Sequence, residues 1–305
     1  MRIFSAYAPV VVGSFLSLSP ALGGCSPKAP VEHLVWARTE SGATVTYRID
    51  EGGRRIDRVD GIRIATSEGE WRWITKRIPV ATDPCDLEGD ATSLPAQPGY
   101  ATSASLIRDG RERREQIVVT PDAVDHANEI RHDVALAASL GPYLFVEDST
   151  YVYACGAHGN TTKRFIVWDA ERDRPIDVLG TVPDPAGLVA RASSELHPAG
   201  ALDGPTLDGP DDEARVTEVR PVLRGLRAGP LPFEAQVTVA DCYACSDGSW
   251  GSYARSVRLP SAPPRALAAR AEVPEGVARF AQAHPDLAVG GWSSVAPSYT
   301  APAQP

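Results

Sequence analysis

The sequence has no long apolar run beyond its first 25 residues, and it is poor in aromatic and sulfur-containing side chains. Phe, Trp and Tyr make up 7% of the 305 residues, which include five cysteines and one methionine. A transmembrane helix needs about 20 consecutive apolar residues. The body of the chain is therefore not expected to cross a membrane as a helix.

Motifs for hydrolysis or nucleotide binding are also missing. The sequence has no Gly-x-Ser-x-Gly nucleophile elbow, no His-Glu-x-x-His pair and no glycine-rich phosphate loop. An enzyme acting on peptidoglycan would need paired carboxylates or a metal pocket, which the sequence does not display. We therefore expect a binding or structural protein without a cofactor, rather than an enzyme.

Positively charged residues are fewer than negatively charged ones. The chain has 30 Lys and Arg residues against 39 Asp and Glu residues, a formal net charge of −9. Residues 1–24 contain Arg2 as their one charged side chain, so their removal takes the charge to −10. An acidic chain is an unlikely partner for nucleic acid. It could attract cationic proteins or metal ions, although acidity also serves solubility alone.

The N-terminus has the features of a bacterial lipoprotein signal. Arg2 supplies a positive start, residues 7–18 are apolar, and Leu-Gly-Gly-Cys at 22–25 resembles a lipobox. The alternative is an ordinary secretory signal with a chance cysteine. Cleavage before Cys25 and its acylation would anchor the chain to a membrane outside the cytoplasm. Ser26, in place of an aspartate, favours the outer membrane by resemblance to the sorting rule of Gram-negative lipoproteins.

These features predict four segments. They are a signal peptide at 1–24, a lipidated tether at 25–32, an extracytoplasmic domain at 33–285 and a disordered tail at 286–305. The roughly 280 residues of the mature chain suffice for one large or two small domains.

Alternation of apolar and polar residues predicts a fold made mostly of strands. The expected class is α+β, mostly β, with antiparallel sheets and a few short helices. A long loop at 83–99 carries Cys85, and Asp109-Gly110 forms a hairpin turn. The predicted strands are 44–50, 61–66, 71–80, 104–107, 116–119, 134–140, 143–146, 151–155, 164–168, 176–179, 216–223, 233–239 and 253–259.

Helices are expected to be few and short. Residues 274–284 favour one helix, and residues 121–132 form either a short helix or a polar connection. The stretch 183–213 is rich in Pro, Gly, Ala and Asp. It is predicted to be a linker outside the core, with at most a short helix around 187–194.

The most specific motif spans residues 151–177. It reads Tyr-Val-Tyr-Ala-Cys-Gly-Ala-His-Gly-Asn-Thr from residue 151, then Arg-Phe-Ile-Val-Trp-Asp from 164 and Arg-Pro-Ile-Asp from 174. It resembles an extracytoplasmic domain of lysozyme-sensing anti-sigma-V factors, of some peptidoglycan deacetylases and of many bacterial lipoproteins. The resemblance is close over about 131–179 and looser over about 100–260. Cys155 stands where the family usually has a second glycine.

The resemblance implies an α+β domain that binds something in the cell envelope, because the well-understood activity of the family is lysozyme capture. Gly156, Ala157, His158 and Gly159 are candidate binding residues. His158 either forms hydrogen bonds or contacts a metal on an exposed loop, or packs to hold the turn. The expected partners are the membrane, through the lipid, and an envelope or lysozyme-like protein. Lysozyme contacts themselves do not transfer, because specificity lies in variable loops.

Cysteines are the other candidate site. Disulfides are the default outside the cytoplasm, and four cysteines allow three pairings between which the sequence does not choose. Alternatively, Cys242 and Cys245 have redox-motif spacing, and with Cys155 and His158 they could hold zinc. A thiol or metal-binding protein is therefore the alternative function. The cysteines that remain besides the lipidated one are Cys85, Cys155, Cys242 and Cys245.

Overall fold

The computed structural model describes residues 31–85, 93–113, 117, 127–155, 159–196, 214–240 and 254–295. The predicted signal peptide and Cys25 lie outside these ranges, as do residues 156–158, Cys242 and Cys245. The described residues are mostly strand, in antiparallel sheets with a few short helices, which confirms the predicted fold class.

The described residues form seventeen strands and two α-helices, α1 (Pro185–Leu196) and α2 (Glu275–Ala283). Two 3₁₀ turns cover Leu179–Thr181 and Arg265–Arg270. None of the helices described is long and apolar enough to span a membrane. The strands are β1 (Glu32–Arg38), β2 (Thr44–Ile49), β3 (Arg55–Asp60), β4 (Arg63–Thr66), β5 (Gly69–Val80), β6 (Gly99–Arg108), β7 (Arg111–Glu112), β8 (Glu129–Leu140), β9 (Tyr143–Tyr153), β10 (Asn160–Asp169), β11 (Arg174–Ile176), β12 (Arg215–Pro221), β13 (Gly229–Pro230), β14 (Phe233–Ala240), β15 (Ala254–Ser261), β16 (Glu272–Val273) and β17 (Ala288–Val295).

The largest sheet has twelve strands and branches at β8. Its main path runs β11-β10-β9-β8-β17-β1-β2-β3. Strand β9 pairs with the whole length of β8 on one side. On the other side, β17 pairs in parallel with Ser139 and Leu140, and β6 pairs in parallel with Arg131. Strand β8 therefore joins the main path to a second branch made of β4 to β7.

Apolar cores cover both faces of this sheet, because successive strand residues point to opposite faces. Val35 and Phe145 belong to the larger core, which also contains residues of α1, α2 and the small sheet β12-β14-β15. Their neighbours Trp36 and Leu144 belong to a smaller core with residues of β4, β5 and β6. The main path of the sheet thus lies between two layers, the small sheet with the two helices on one face and its own branch of β4 to β7 on the other.

The predicted helix around 187–194 is confirmed as α1, but the expectation that it lies outside the core is wrong. Leu188 and Ala192 are buried and belong to the larger core. Their spacing of four residues places both side chains on one face of the helix. The sequence did not indicate this buried face, because the surrounding stretch is rich in Pro, Gly, Ala and Asp. Residues 197–213 lie outside the described ranges.

The predicted tail at 286–305 is wrong over 288–295, because these residues form β17 between β1 and β8. In the sequence, the adjacent glycines Gly290 and Gly291 are typical of a loop. In the fold they allow close packing, since a Cβ on Gly290 would overlap the Trp36 ring and one on Gly291 would overlap the Ser139 backbone. Residues 296–305 lie outside the described part of the chain.

Smaller corrections concern two further segments. Strand β8 begins at Glu129, so the helix considered for 121–132 is wrong over its last residues. Strand β11 ends at Ile176, so the strand predicted at 176–179 is wrong beyond its first residue, and a 3₁₀ turn begins at Leu179.

The Asp109-Gly110 turn is confirmed, and it pairs β6 with β7. Of the partner strand predicted at 116–119, the structure describes Ile117, whose N–H donates to the Ala104 carbonyl at 2.9 Å. The predicted strands 143–146 and 151–155 form one strand, β9, which ends at Tyr153.

Candidate functional site

The glycine-rich motif connects β9 to β10. Gly156, Ala157 and His158 lie outside the described residues, so their binding role stays a prediction. Gly159 is described, and it lies against the ring of Tyr151. A Cβ at position 159 would overlap the Tyr151 phenol, so a larger residue there would displace the ring.

A disulfide joins Cys85 to Cys155 at this end of the hairpin. Cys85 is fully buried and exchanges two backbone hydrogen bonds with Leu94. Cys155 has a positive φ of 58°, a conformation that glycine adopts more readily. The disulfide selects one of the three pairings and ties the loop after β5 to the hairpin.

The same disulfide conflicts with the predicted zinc site. A cysteine binds zinc as a thiolate, and the Cys155 sulfur is bonded to Cys85. A four-ligand site of Cys155, His158, Cys242 and Cys245 is therefore incompatible with this structure. The other three residues lie outside the described ranges. Within those ranges, no group of three His, Cys, Asp or Glu residues is arranged to hold a metal ion.

Asn128 holds the disulfide-bonded loop from a second side. Its buried amide donates to the carbonyl oxygens of Asp83 at 3.0 Å and Pro95 at 3.1 Å. Its backbone N–H donates to the Tyr153 carbonyl at 2.7 Å. Sequence reasoning missed Asn128, because a single asparagine before a strand carries no distinctive signal.

Beside the disulfide, arginine and tyrosine side chains form a row across several strands. Tyr100 of β6, Arg131 of β8 and Tyr151 of β9 are paired in register. The Arg131 guanidinium lies 4.5 Å from the Tyr151 ring centre, and the Arg77 guanidinium lies 3.9 Å from the Tyr100 ring centre. Together with Asp133, these four residues are named the hairpin-end surface.

Asp133 organises half of this surface. Its carboxylate accepts hydrogen bonds from the Tyr100 hydroxyl at 2.8 Å and from Arg77 Nη2 at 3.1 Å. Burial, and then the hydrogen bond to Asp133, raise the pKa of Tyr100, so the phenol keeps its proton at neutral pH. The side chains of Arg77, Arg131 and Asp133 are each about half exposed or more, at 62%, 49% and 54%. The surface therefore offers flat stacked groups and polar atoms to solvent.

A His–Asp–Arg network lies nearby on β8, β9 and β10, with its histidine and aspartate buried and its arginine exposed. His132 Nε2 is 2.6 Å from Asp148 Oδ1, and His132 Nδ1 accepts the Thr102 N–H at 3.1 Å. Because Nδ1 accepts, the ring proton lies on Nε2 and is donated to Asp148. Arg164 donates to the other carboxylate oxygen from Nε at 3.0 Å and from Nη2 at 2.6 Å.

This network is structural rather than catalytic. The His132 side chain is buried and both of its ring nitrogens have protein partners. A general base must reach the proton that it abstracts, and the His132 side chain is only 2% exposed. The network instead connects β6, β8, β9 and β10 beneath the hairpin-end surface.

Comparison of the chain with known protein families, curated proteins and solved structures gave no match. The resemblance to the lysozyme-sensing domain thus depends on the motif residues alone. The hairpin-end surface is interpreted from its own chemistry.

Proposed function

We propose that the chain is a lipid-anchored binding protein of the cell envelope that recognises a protein partner through the hairpin-end surface. The observation that carries this proposal is the exposed stacking of Arg77 on Tyr100 and of Arg131 on Tyr151. Tyrosine and arginine are enriched among the residues that dominate binding energy at protein interfaces. Both offer large flat contact areas together with hydrogen-bond donors.

The surface is fixed before binding, which supports recognition. The Cys85–Cys155 disulfide and the Asn128 hydrogen bonds hold the neighbouring loop. Asp133 fixes Arg77 and Tyr100 relative to each other. A surface that is already ordered loses less conformational entropy when a partner binds, so more of the contact energy contributes to affinity.

The proposed location depends on the N-terminal sequence. Lipidation of Cys25 would place the domain outside the cytoplasm, at the outer membrane by the sorting rule. Strand β1 begins at Glu32, so residues 25–31 would separate the lipid from the fold. Seven extended residues span about 23 Å, which would keep the domain near the membrane.

A lysozyme-like protein is the partner that the motif resemblance favours. Lysozymes of this kind are cationic, and the mature chain, whose net charge is −10 once residues 1–24 are removed, would attract them over several ångströms. The alternative function, a thiol or metal-binding protein, gains no support from the described residues, because Cys155 is in a disulfide.

Titration calorimetry with lysozyme tests the proposal, using the mature chain with Cys25→Ser. Recognition predicts that Arg131→Ala with Tyr151→Ala weakens binding about tenfold or more. The Arg131 change makes the chain more acidic, so attraction by charge alone would instead become stronger. The control, Arg174→Ala with Tyr143→Phe, makes the same charge change and leaves the hairpin-end surface intact. Unchanged or stronger binding by the first variant would argue against this surface.

A further inference from the structure

Strand β10 is longer than the strand that covers its outer side. It pairs with β9 over its whole length, from Asn160 to Asp169. On the outer side, β11 pairs with residues 167–169 alone, and no other described strand pairs with β10. The outer side of residues 162–166, named the β10 edge, therefore has no strand partner in the described part of the chain.

The hydrogen-bond pattern shows which backbone groups of β10 face outward. In an antiparallel pair, alternate residues exchange hydrogen bonds with the partner strand, and the residues between them face away from it. The Ala170 N–H donates to the Pro142 carbonyl at 2.9 Å, in the register of the β9–β10 pair. The even-numbered residues of β10 thus bond to β9. The N–H and C=O groups of Lys163 and Phe165 point outward, and they have no backbone partner among the described residues.

The β10 edge is held firmly from behind. Arg164 donates to Asp148 of β9 from Nε at 3.0 Å and from Nη2 at 2.6 Å, and Asp148 also accepts a hydrogen bond from His132 of β8. These contacts fix the middle of β10 to two neighbouring strands. A segment that paired with β10 would meet a strand that is already ordered, so less conformational entropy would be lost on binding.

An apolar pocket of about 170 Å³ lies beside this edge, where the chain leaves β11. Its volume is below the range of about 300–1,000 Å³ that is usual for small-molecule pockets, so it suits a single apolar side chain. The one carboxylate of the described lining, Asp177, accepts the backbone N–H of Gly180 at 2.9 Å. The apolar side chains of the lining belong to the larger core or pack against it, and they include Phe165, Ile176, Val178 and Leu179.

Lys163 determines the charge of the β10 edge. It is exposed and forms no ion pair with a described residue. Glu147, which lies opposite Phe165 on β9, is already paired with Arg220 at 2.7 Å. Residues 160–166 contain two basic residues and no acidic one, so the same edge of a second copy would be repelled. An acidic side chain placed opposite Lys163 would be attracted.

We propose that the β10 edge binds an extended segment of a partner protein, which adds to the sheet as an antiparallel strand in line with β11. In strand addition, main-chain hydrogen bonds supply affinity and alternate side chains supply specificity. The residue opposite Phe165 is apolar and fills the pocket. Because alternate residues share a face, the residue two positions later lies opposite Lys163 and is acidic. The partner motif is an apolar residue, any residue, then Asp or Glu.

Fluorescence anisotropy with labelled peptides tests this proposal, using the full mature chain with Cys25→Ser. The probe is Ser-Thr-Leu-Thr-Glu-Thr-Ser, and a second probe has lysine in place of the glutamate. We expect the glutamate peptide to bind about fivefold more tightly or better, because Lys163 attracts glutamate and repels lysine. Serine in place of the leucine should weaken binding about tenfold or more, because the pocket then stays unfilled.

Lys163→Glu should reverse the charge preference, so that the lysine peptide binds more tightly than the glutamate peptide. Lys76→Glu is the matched control, because it makes the same charge change at an exposed position of β5, in the other branch of the sheet. It should keep the preference of the wild type. An unchanged preference in the Lys163 variant, or a reversal in both variants, would overturn the assignment of this edge.

Methylation of peptide nitrogens separates strand pairing from other contacts of the same side chains. A methyl group on the leucine or glutamate nitrogen blocks a hydrogen bond to β10 and should weaken binding about tenfold. On the central threonine, whose N–H faces away from β10, it should have little effect. Equal loss at all three positions would overturn strand addition.

Failure of the unmodified peptide to bind would also overturn the proposal. Lys163 would then have the role of a lysine that protects a sheet edge from unwanted pairing. The β10 edge contains no residue of the hairpin-end surface, and this proposal does not rest on that surface. Peptide binding and lysozyme binding are therefore separate tests, and failure of one leaves the other proposal standing.

Discussion

Asp148 is the residue at which stability should depend most directly on pH. Burial alone would raise its pKa, but hydrogen bonds from His132 and Arg164 outweigh that effect and lower it. A carboxyl whose pKa is lower in the folded state stabilises the protein above its unfolded pKa of about 3.9. That contribution is lost as the pH falls through the folded pKa.

Asp148→Asn should lower the free energy of unfolding by about 2–3 kcal/mol at neutral pH, because it removes the charge that His132 and Arg164 bind. The deficit should begin to shrink below about pH 4, where the unfolded carboxyl takes up a proton, and should shrink further as the pH falls through the lowered folded pKa. Urea unfolding of both proteins at neutral and acidic pH measures it. Asp133→Asn, at an exposed carboxylate, is the control and should change stability little. A deficit that does not vary with pH would contradict this account.

The sequence indicated only some residues of the candidate site. Cys85, Cys155 and Gly159 could be identified, because cysteines and glycine-rich turns have few structural interpretations. Arg77 and Arg131 could not, since they are 54 positions apart and come together only through the pairing of β5 with β6 and of β6 with β8. Long-range strand pairing of this kind leaves no local pattern.

At the scale of elements, most alternating strands were predictable, whereas β1 and β17 were not. Strands β2, β5 and β14 follow an alternating pattern and are confirmed. Strand β1 lies between β2 and β17, and most of its residues are buried. A strand that is covered on both faces is continuously apolar, so it lacks the alternating pattern by which strands are predicted. Strand β17 was missed because its two glycines are typical of a loop.

Those glycines give β17 a direct test. In Gly290→Ala, the new methyl group would overlap the Trp36 ring, which is buried and hydrogen-bonded to Ser139 Oγ at 2.7 Å. Overpacking of a core typically costs about 1–3 kcal/mol. We expect thermal and urea unfolding to show a loss in that range. Gly52→Ala, in an exposed turn, is the comparison, and an equally small effect at both sites would contradict the placement of β17.

At the scale of the whole molecule, the disulfide links the loop between the two strands of one branch to the hairpin of the main sheet. Cys85 and Cys155 are 70 residues apart, and closing a loop of that length stabilises a fold by about 4 kcal/mol in the chain-entropy account. Cys85→Ser with Cys155→Ser should therefore lower the free energy of unfolding substantially in urea.

Mass spectrometry without reduction provides the control for that variant. Peptides containing Cys85 and Cys155 should be found joined in the exported wild-type protein, and also in Cys242→Ser with Cys245→Ser. A mixture of pairings, or loss of the bond in the second variant, would show that the cysteines exchange partners.

The most direct test of the central claim is photo-crosslinking in cells that export the lipidated protein. A photoreactive phenylalanine analogue at Tyr151, on the hairpin-end surface, should give a discrete adduct with one envelope or lysozyme-like protein. The same analogue at Tyr143, where β9 begins, should give none. No adduct at position 151, or the same adducts at both positions, would contradict recognition through this surface.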